Sequence, residues 1–573
     1  MSGGGQGSKG QLRAWQRSAL TKFLLHKPKD FLAVATPGAG KTTFALRVAT
    51  ELKSSRAVDR VIVVVPTEHL KIQWSQAAAR VGLALDPHFT NASAVNPSYD
   101  GVVVTYAQVA MHPFKHYAVC TAKRSLVILD EIHHGGDAKS WGDGIREAYA
   151  DAEHRLALTG TPFRSDDSAI PFVRYEEDGE GHLVSRSDHT YGYADALADG
   201  VVRPVVFLAY SGEARWRTSA GEEYAARLGE PLNAEQTARA WKTALDPKGD
   251  WIPAVLQAAH TRLLQLRKNM PDAGGLVIAT DTTTARAYAA ILRNLSSTPV
   301  AVILSDEPGS SARIEEFSNS TDEWMVAVRM VSEGVDVPRL AVGVYATSAA
   351  TPLFFAQAIG RFVRSRMPGE TASVFLPSVP VLLGPAEKLE TSRDHVLGKP
   401  DRPQEGWDDD ALAEANREKN EKTEEEKAYE SLGADAELDS LIYDGSTYGT
   451  ATFTGSDEEA DYLGLPGLLD AEQMKALLRK RQEEQLDARD AVAEANEAAR
   501  QSEGNKAAAE RVASDEIPQL RKELNAIVSI TAGRTGRPHG SIHTEARNAC
   551  GGPPTALCTA EQLRDRIAYL RRW

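Results

Sequence analysis

Residues 35–43 read Ala-Thr-Pro-Gly-Ala-Gly-Lys-Thr-Thr and follow the apolar run Phe31-Leu32-Ala33-Val34. A buried strand that breaks into a Gly-rich turn ending in Lys-Thr is a phosphate cradle. Small residues at Gly38, Ala39 and Gly40 let backbone N–H groups close around a phosphate chain, and a helix starting at the turn adds its positive dipole end. Lys41 reaches the outer phosphates as a point charge, and the Thr42 hydroxyl suits Mg²⁺. Thr36, Pro37 and Thr43 complete the cradle, and Ala35 stands where the usual pattern has Gly. The chemistry implied is that of a nucleoside triphosphate.

A second group follows at Leu126-Val127-Ile128-Leu129-Asp130-Glu131-Ile132-His133. Four apolar residues read as a buried parallel strand. Asp130 then lies at the strand's C-terminal end, where open α/β sheets bind ligands. A carboxylate there can hold Mg²⁺ beside Thr42, and Glu131 can polarise an attacking water. His133 is placed to bridge this site to a neighbouring element. Alone, such an Asp-Glu pair reads equally well as solvated loop carboxylates. Downstream of the cradle, the catalytic reading is the stronger one.

Three further segments stand in order: Leu158-Thr159-Gly160-Thr161-Pro162-Phe163-Arg164, Val331-Ser332-Glu333-Gly334-Val335-Asp336-Val337-Pro338 and Gln357-Ala358-Ile359-Gly360-Arg361-Phe362-Val363-Arg364. Together with the first two, they resemble the superfamily 2 helicases and translocases. The nearest look is the DExH type of excision-repair helicases and type III restriction motors, and it covers the chain from Leu12 to Pro377. The resemblance implies that Gln16 reads the adenine edge with help from Arg13. It implies that Pro66-Thr67 and Thr105-Tyr106, at the ends of two apolar strands, hold nucleic-acid phosphates. Thr159 and Thr161 would couple ATP state to strand grip. Glu333, Gly334 and Asp336 would touch ribose and nucleic acid. Gln357, Arg361 and Arg364 would reach the γ-phosphate, the arginines as fingers that neutralise developing charge.

These residues need a scaffold of two lobes. The chain has 573 residues, 42% of them hydrophobic, enough for two to three domains. Apolar strands alternate with helical stretches, which argues for parallel α/β sheets. The expected fold is α/β: two tandem RecA-like parallel-sheet lobes with an ATP cleft between them, plus a mostly helical C-terminal region. The boundaries read as a flexible start over 1–10, lobe 1 over 11–205 and lobe 2 over 206–385. An acidic, flexible linker over 386–470 and a helical accessory region over 471–573 follow.

The net charge is −14, but residues 401–470 hold 21 acids and 5 bases, a net of −16. The motor itself is therefore near neutral, and a local basic track for nucleic acid remains open. Three cysteines are too few for a disulfide framework and fit a reducing cytoplasm. No apolar run reaches membrane-spanning length, and the first ten residues lack a signal-peptide core. Asp401 with Glu425-Glu426-Lys427 superficially matches a nuclease pattern, but the intervening segment reads as helix or coil rather than the adjacent strands that chemistry needs. His539, His543, Cys550 and Cys558 have no usual zinc spacing. At the C-terminus, Thr559 caps a helix whose Leu563, Ile567 and Leu570 form one apolar stripe ringed by arginines at 564, 566, 571 and 572. That region is a candidate surface for a protein partner or nucleic acid. The function expected is an ATP- and Mg²⁺-dependent motor on nucleic acid, DNA favoured over RNA. An RNA helicase with the same motor and an ATP-switched clamp without turnover are the rival readings.

Overall fold

The computed structural model describes residues 12–133, 139–160, 169–177, 183–218, 223–230, 232–304, 309–328, 337–367, 369–387, 396–397, 429–443, 446–467, 473–484, 513–535, 537, 539–553, 555 and 558–573. The chain divides into two compact units, and it passes from the first to the second between Val202 and Arg203.

The first unit is built on β1 (Asp30–Ala35), β2 (Arg60–Val65), β3 (Leu85–Asp86), β4 (Gly101–Thr105), β5 (Ser125–Asp130) and β6 (His154–Thr159). An antiparallel pair follows, β7 (Arg174–Glu177) with β8 (Leu183–Arg186), and then β9 (His189–Tyr191). The main sheet runs β3-β4-β2-β5-β6-β1-β9, with every neighbour parallel. Its central strands are valine-rich and buried throughout, as a parallel sheet covered on both faces requires. Register does the positioning. Val64 lies opposite Leu129, Leu129 opposite Ala157, and Ala157 opposite Leu32. The strands therefore end level, and the cradle, Pro66, Thr105, Asp130 and Thr159 emerge along one edge.

The second unit is a mixed sheet. It takes β10 (Val205–Ser211) and, after the hairpin β11 (Glu213–Thr218) and β12 (Glu223–Arg227), the strands β13 (Gly274–Ala279), β14 (Val300–Ile303), β15 (Trp324–Val328), β16 (Leu340–Ala346) and β17 (Ala372–Pro377). β18 (Val396–Leu397) belongs to the first unit and pairs with β8 of its small sheet; in the second unit β19 (Tyr429–Ala434), β20 (Glu437–Tyr443) and β21 (Ser446–Phe453) follow. The main order is β14-β15-β13-β16-β17-β10-β20-β21, parallel as far as β10 and antiparallel from there. Both units are thus parallel-sheet α/β cores of the RecA-like kind.

One expectation is corrected. Within the supposed linker 386–470, β20 lies beside β10 in the main sheet, β21 forms its edge, and Asp457–Leu463 is a helix. Two of the acids there, Glu437 and Asp439, are buried rather than solvated. Glu437 pairs with Arg227 at 2.7 Å, and Asp439 accepts from Ser378 at 2.8 Å and faces His539 at 3.2 Å. Partners far away in sequence neutralise charges that composition alone counts as water-seeking. Asp401 and Glu425-Glu426-Lys427 lie outside the described residues.

Residues 473–484 are helical, and the helices Ala513–Thr535, His539–Cys550 and Ala560–Leu570 share a core of Leu524, Val528, Ile542, Leu563, Ile567 and Leu570. Thr559 caps the last helix reciprocally with Gln562. The arginine ring around it is partly spent inside the protein. Arg566 is buried and donates to Thr555, Gly551 and Pro553, and Arg571 pairs with Glu523 at 2.7 Å.

Candidate nucleotide site

The cradle needs its glycines for two reasons. Gly38 and Gly40 have φ of 81° and 91°, the left-handed region that L side chains avoid. At Gly40 a Cβ would also stand 2.7 Å from Gln16 Nε2. The turn closes with Ala39 N–H donating to Thr36 O at 3.1 Å, and the helix α2 (Lys41–Ser54) begins at Lys41.

An earlier helix, α1 (Ala14–His26), braces this turn from its N-terminal end. Arg13 Nη1 donates to the carbonyls of Gly38 (3.0 Å) and Ala39 (2.7 Å). Trp15 Nε1 donates to Ala39 O at 3.1 Å, and Gln16 Nε2 to Gly40 O at 2.9 Å. Trp15 is packed flat on Tyr191, with ring centroids 5.3 Å apart. Gln16, expected at the adenine edge, has its other amide atom on Arg13 N–H at 2.8 Å. Both ends of that side chain hold backbone, so Gln16 and Arg13 stand as braces of the cradle.

Lys41 and Glu131 face each other. Lys41 Nζ is 2.9 Å from Glu131 Oε1 and donates to Ala35 O at 3.2 Å. Glu131 has φ 47°, a left-handed conformation costing of order 1–3 kcal/mol. It is held there by Lys41 and by Gly160 N–H, which donates to Oε2 at 3.2 Å. Burial would raise the Glu131 pKa, but Lys41 and then His133 outweigh it and bring the carboxyl well below its usual range. Its neighbour Asp130 goes the other way, to about 6, through burial and then the Glu131 charge. Trp74 Nε1 donates to Asp130 Oδ2 at 2.8 Å, which fixes the carboxylate's orientation. His133 and Thr159 join the ends of β5 and β6 through a 2.9 Å bond between Nδ1 and Oγ1.

The flanking strand ends are also in place. Thr67 stands at the N-cap position of the helix Glu68–Ala79, and among the described residues its buried hydroxyl has no hydrogen-bond partner. Thr105 accepts from Gln108 N–H at 3.2 Å at the start of the helix Tyr106–Met111. Tyr106 departs from expectation. Its hydroxyl is buried and donates to the Asp130 carbonyl at 2.8 Å, supporting the end of β5 rather than facing a phosphate. Trp74, Trp15 and this use of Tyr106 escaped sequence reasoning: Tyr106 directly follows a strand, but the two tryptophans lie within helices and carry no local signal. Hard oxygens at Thr42 and Asp130, beside a glycine cradle under a lysine, fit Mg²⁺ and a triphosphate.

In the second unit, Gln357 lies on the helix Pro352–Ile359, and Arg361 and Arg364 follow in the turn beyond it. All three are half-buried, while Phe362 and Val363 between the arginines are buried. Thr161, Glu333, Gly334 and Asp336 lie outside the described residues.

Residues 9–164 match the family model for the type III restriction enzyme, res subunit. The chain is 63% identical over 564 residues to the uncharacterized protein Rv2917 of Mycobacterium tuberculosis, covering 98% of this chain and 92% of that protein. The chain belongs to the Rv2917 family. It is 24% identical over 376 residues to the DNA 3'-5' translocase XPB2 of Sulfurisphaera tokodaii, covering 62% of this chain and 79% of that one. Saccharomyces cerevisiae Dbp5 bound to RNA and ADP BeF3 aligns with a TM-score of 0.44 at 13% identity, over 67% of this chain and 88% of that one. This Rv2917-family chain therefore carries a superfamily 2 helicase-type motor, with likeness to restriction-enzyme motors and excision-repair helicases. Among the described residues, no helix is long and apolar enough to cross a membrane.

Proposed function

We propose that the chain is an ATP-dependent helicase or translocase that works on DNA in the cytoplasm. The observation that carries this is the Lys41–Glu131 pair set beside Asp130 and the His133–Thr159 bridge, on the sheet edge that also presents Thr67 and Thr105. A phosphate cation, a metal-ligand carboxylate and a water-polarising carboxylate are a hydrolytic set, which a switch without turnover has no need to keep. Thr42 and Asp130 would hold Mg²⁺, which when bound neutralises charge on the phosphate oxygens. Lys41 takes the outer phosphates, and Glu131 orients the water. Arg361 and Arg364, with Gln357, act on the γ-phosphate from the second lobe. Glu333, Gly334 and Asp336 complete that side, and Thr161 joins Thr159 in coupling. In this reading the motor lobes occupy 11–205 and 206–385, and their closure and opening move the strand.

The preference for DNA rests on the DEIH, LTGTP and QAIGRFVR forms and on likeness to a protein named as a DNA translocase. Steady-state ATP hydrolysis tests it, measured alone and with single-stranded DNA, duplex DNA and RNA. Stimulation by DNA above RNA is expected. Stronger stimulation by RNA would make the substrate RNA, and no hydrolysis under any condition would leave an ATP-switched clamp.

A further inference from the structure

We infer that Arg203 is a positioning residue for the arginine-bearing segment 361–364 and ties that segment to the point where the chain crosses between units. The inference rests on the proposed role of Arg361 and Arg364 at the γ-phosphate.

The crossing is short and anchored on both sides. The helix Tyr193–Ala198 ends before Gly200, whose φ is 66°. The N–H groups of Val201 and Val202 then turn back to Ala196 O at 2.8 and 3.2 Å, within the first unit. The next N–H, that of Arg203, donates to Val363 O at 2.8 Å within the second. Successive residues are thus fastened to different units, with a single peptide between the anchors.

The side chain of Arg203 grips the same segment. Its Nε donates to Phe362 O at 2.7 Å and its Nη2 to Leu340 O. Its Nη1 stands 3.3 Å from Glu370 Oε1, with both side chains fully buried. Glu370 also accepts from Arg366 N–H at 2.8 Å and from Arg366 Nε at 3.0 Å. The buried pair therefore holds the turn at 362, 363 and 366. Phe362 cannot slide inward, because Gly343 lies beneath its ring. A Cβ there would come within 2.5 Å of Phe362 Cζ. With 362 and 363 fixed toward the core, Arg361 and Arg364 are left half-buried on either side of them. A planar fork can serve two carbonyls and a carboxylate at once, whereas an ammonium at that depth cannot.

The bland alternative is a buried ion pair that only holds the fold. Full-length Arg203→Lys, Glu370→Gln and Arg361→Ala, with the Arg203→Lys/Arg361→Ala double variant, separate the two. ATP turnover would be measured at saturating DNA, alongside ATP affinity and thermal melting. Misplacing catalytic groups by an ångström costs up to about 100-fold. Arg203→Lys should lower kcat by about 10- to 100-fold with ATP KM changed less than about threefold. Glu370→Gln keeps the carbonyl bonds and should lower kcat less. Arg203→Lys should slow the Arg361→Ala background by less than it slows the wild type, since one of the two arginines being positioned is already gone. If Arg203→Lys fails to fold, the kcat of Glu370→Gln decides. Wild-type kcat in both Arg203→Lys and Glu370→Gln, or losses that multiply in the double variant, would overturn the inference while Arg361→Ala is slow. Wild-type kcat in Arg361→Ala would instead remove the finger reading beneath it.

Discussion

Lys41 Nζ and Glu131 Oε1 stand 2.9 Å apart, so the two residues proposed as phosphate cation and water-orienting carboxylate are each other's counter-ion. A triphosphate entering the cradle competes for Lys41 with several anionic oxygens. As the lysine turns to them, Glu131 loses its strongest partner and keeps the Gly160 N–H and His133 contacts. In the proposed reaction the carboxylate is thereby released to orient a water once phosphate is in place, and nucleotide binding and its activation become one exchange of partners.

Glu131→Gln follows directly. The amide is nearly isosteric but gives Lys41 no ionic partner, so the lysine is free for phosphate. ATP affinity should be unchanged or tighter, while turnover falls by about 10²–10⁴-fold, the usual worth of a positioned base. Equilibrium nucleotide binding beside steady-state turnover checks this. A parallel loss of both would make Glu131 structural.

Lys41→Ala removes the phosphate cation and strands Glu131 at once. Hydrolysis should fall by at least about 10²–10³-fold, as when a preorganised charge on a transition state is lost. ATP affinity should drop as well, unlike in Glu131→Gln. Turnover near the wild-type rate would take the cradle out of the reaction.

Arg361→Ala and Arg364→Ala should each lower kcat, by up to about 10³-fold for whichever residue touches the γ-phosphate. ATP affinity should change much less, because a finger acts on charge that develops in the transition state. Wild-type kcat in both variants, read in the same DNA-stimulated assay, would sink the proposed two-lobe reaction.

The core of both units was legible because parallel strands buried on both faces appear as unbroken runs, such as Val61–Val65 and Leu126–Leu129. The cradle was legible because backbone geometry demands glycine at 38 and 40. What escaped depends on contacts distant in sequence. Trp74 finds Asp130 across 56 positions, and Gln16 finds Gly40 across 24. β20 was hidden for a related reason. Glu437 and Asp439 look like surface charges until Arg227 and His539 meet them in the fold. Arg566 misled in the same way, an apparent surface cation whose guanidinium is capped by Thr555, Gly551 and Pro553.

The buried histidines beside β20 give a pH prediction. His539 Nδ1 is 3.2 Å from Asp439 Oδ2. Burial lowers the His539 pKa, but the Asp439 carboxylate, with a further pull from Glu387, raises it above 6.5 overall. His543, one turn along the same helix, goes down to about 3 through burial first, then His539 and Arg227. The raised group stabilises the fold fully below pH 6.5 and loses that contribution as pH rises through its folded pKa. The depressed group behaves oppositely, because below pH 6.5 the unfolded chain takes up a proton that the folded one refuses. Asp439, held low by His539 and Arg227 against its burial, matters only in more acidic solution, below its unfolded value of 3.8. Taken by themselves the two rings place a maximum near pH 6.5, with an acid-side slope approaching about 1.4 kcal/mol per pH unit from His543 and a fall on the alkaline side from His539, superposed on the opposing titration of Glu230, which burial raises to about 7. Denaturant unfolding of the second unit at about pH 5.5, 6.5 and 7.5 measures both slopes. His539→Gln should flatten the alkaline side and leave the acid side, and His543→Gln should do the reverse. Wild-type slopes retained on both sides by both variants would mean that these rings keep their ordinary protonation in the fold, and that the contact with Asp439 carries no charge.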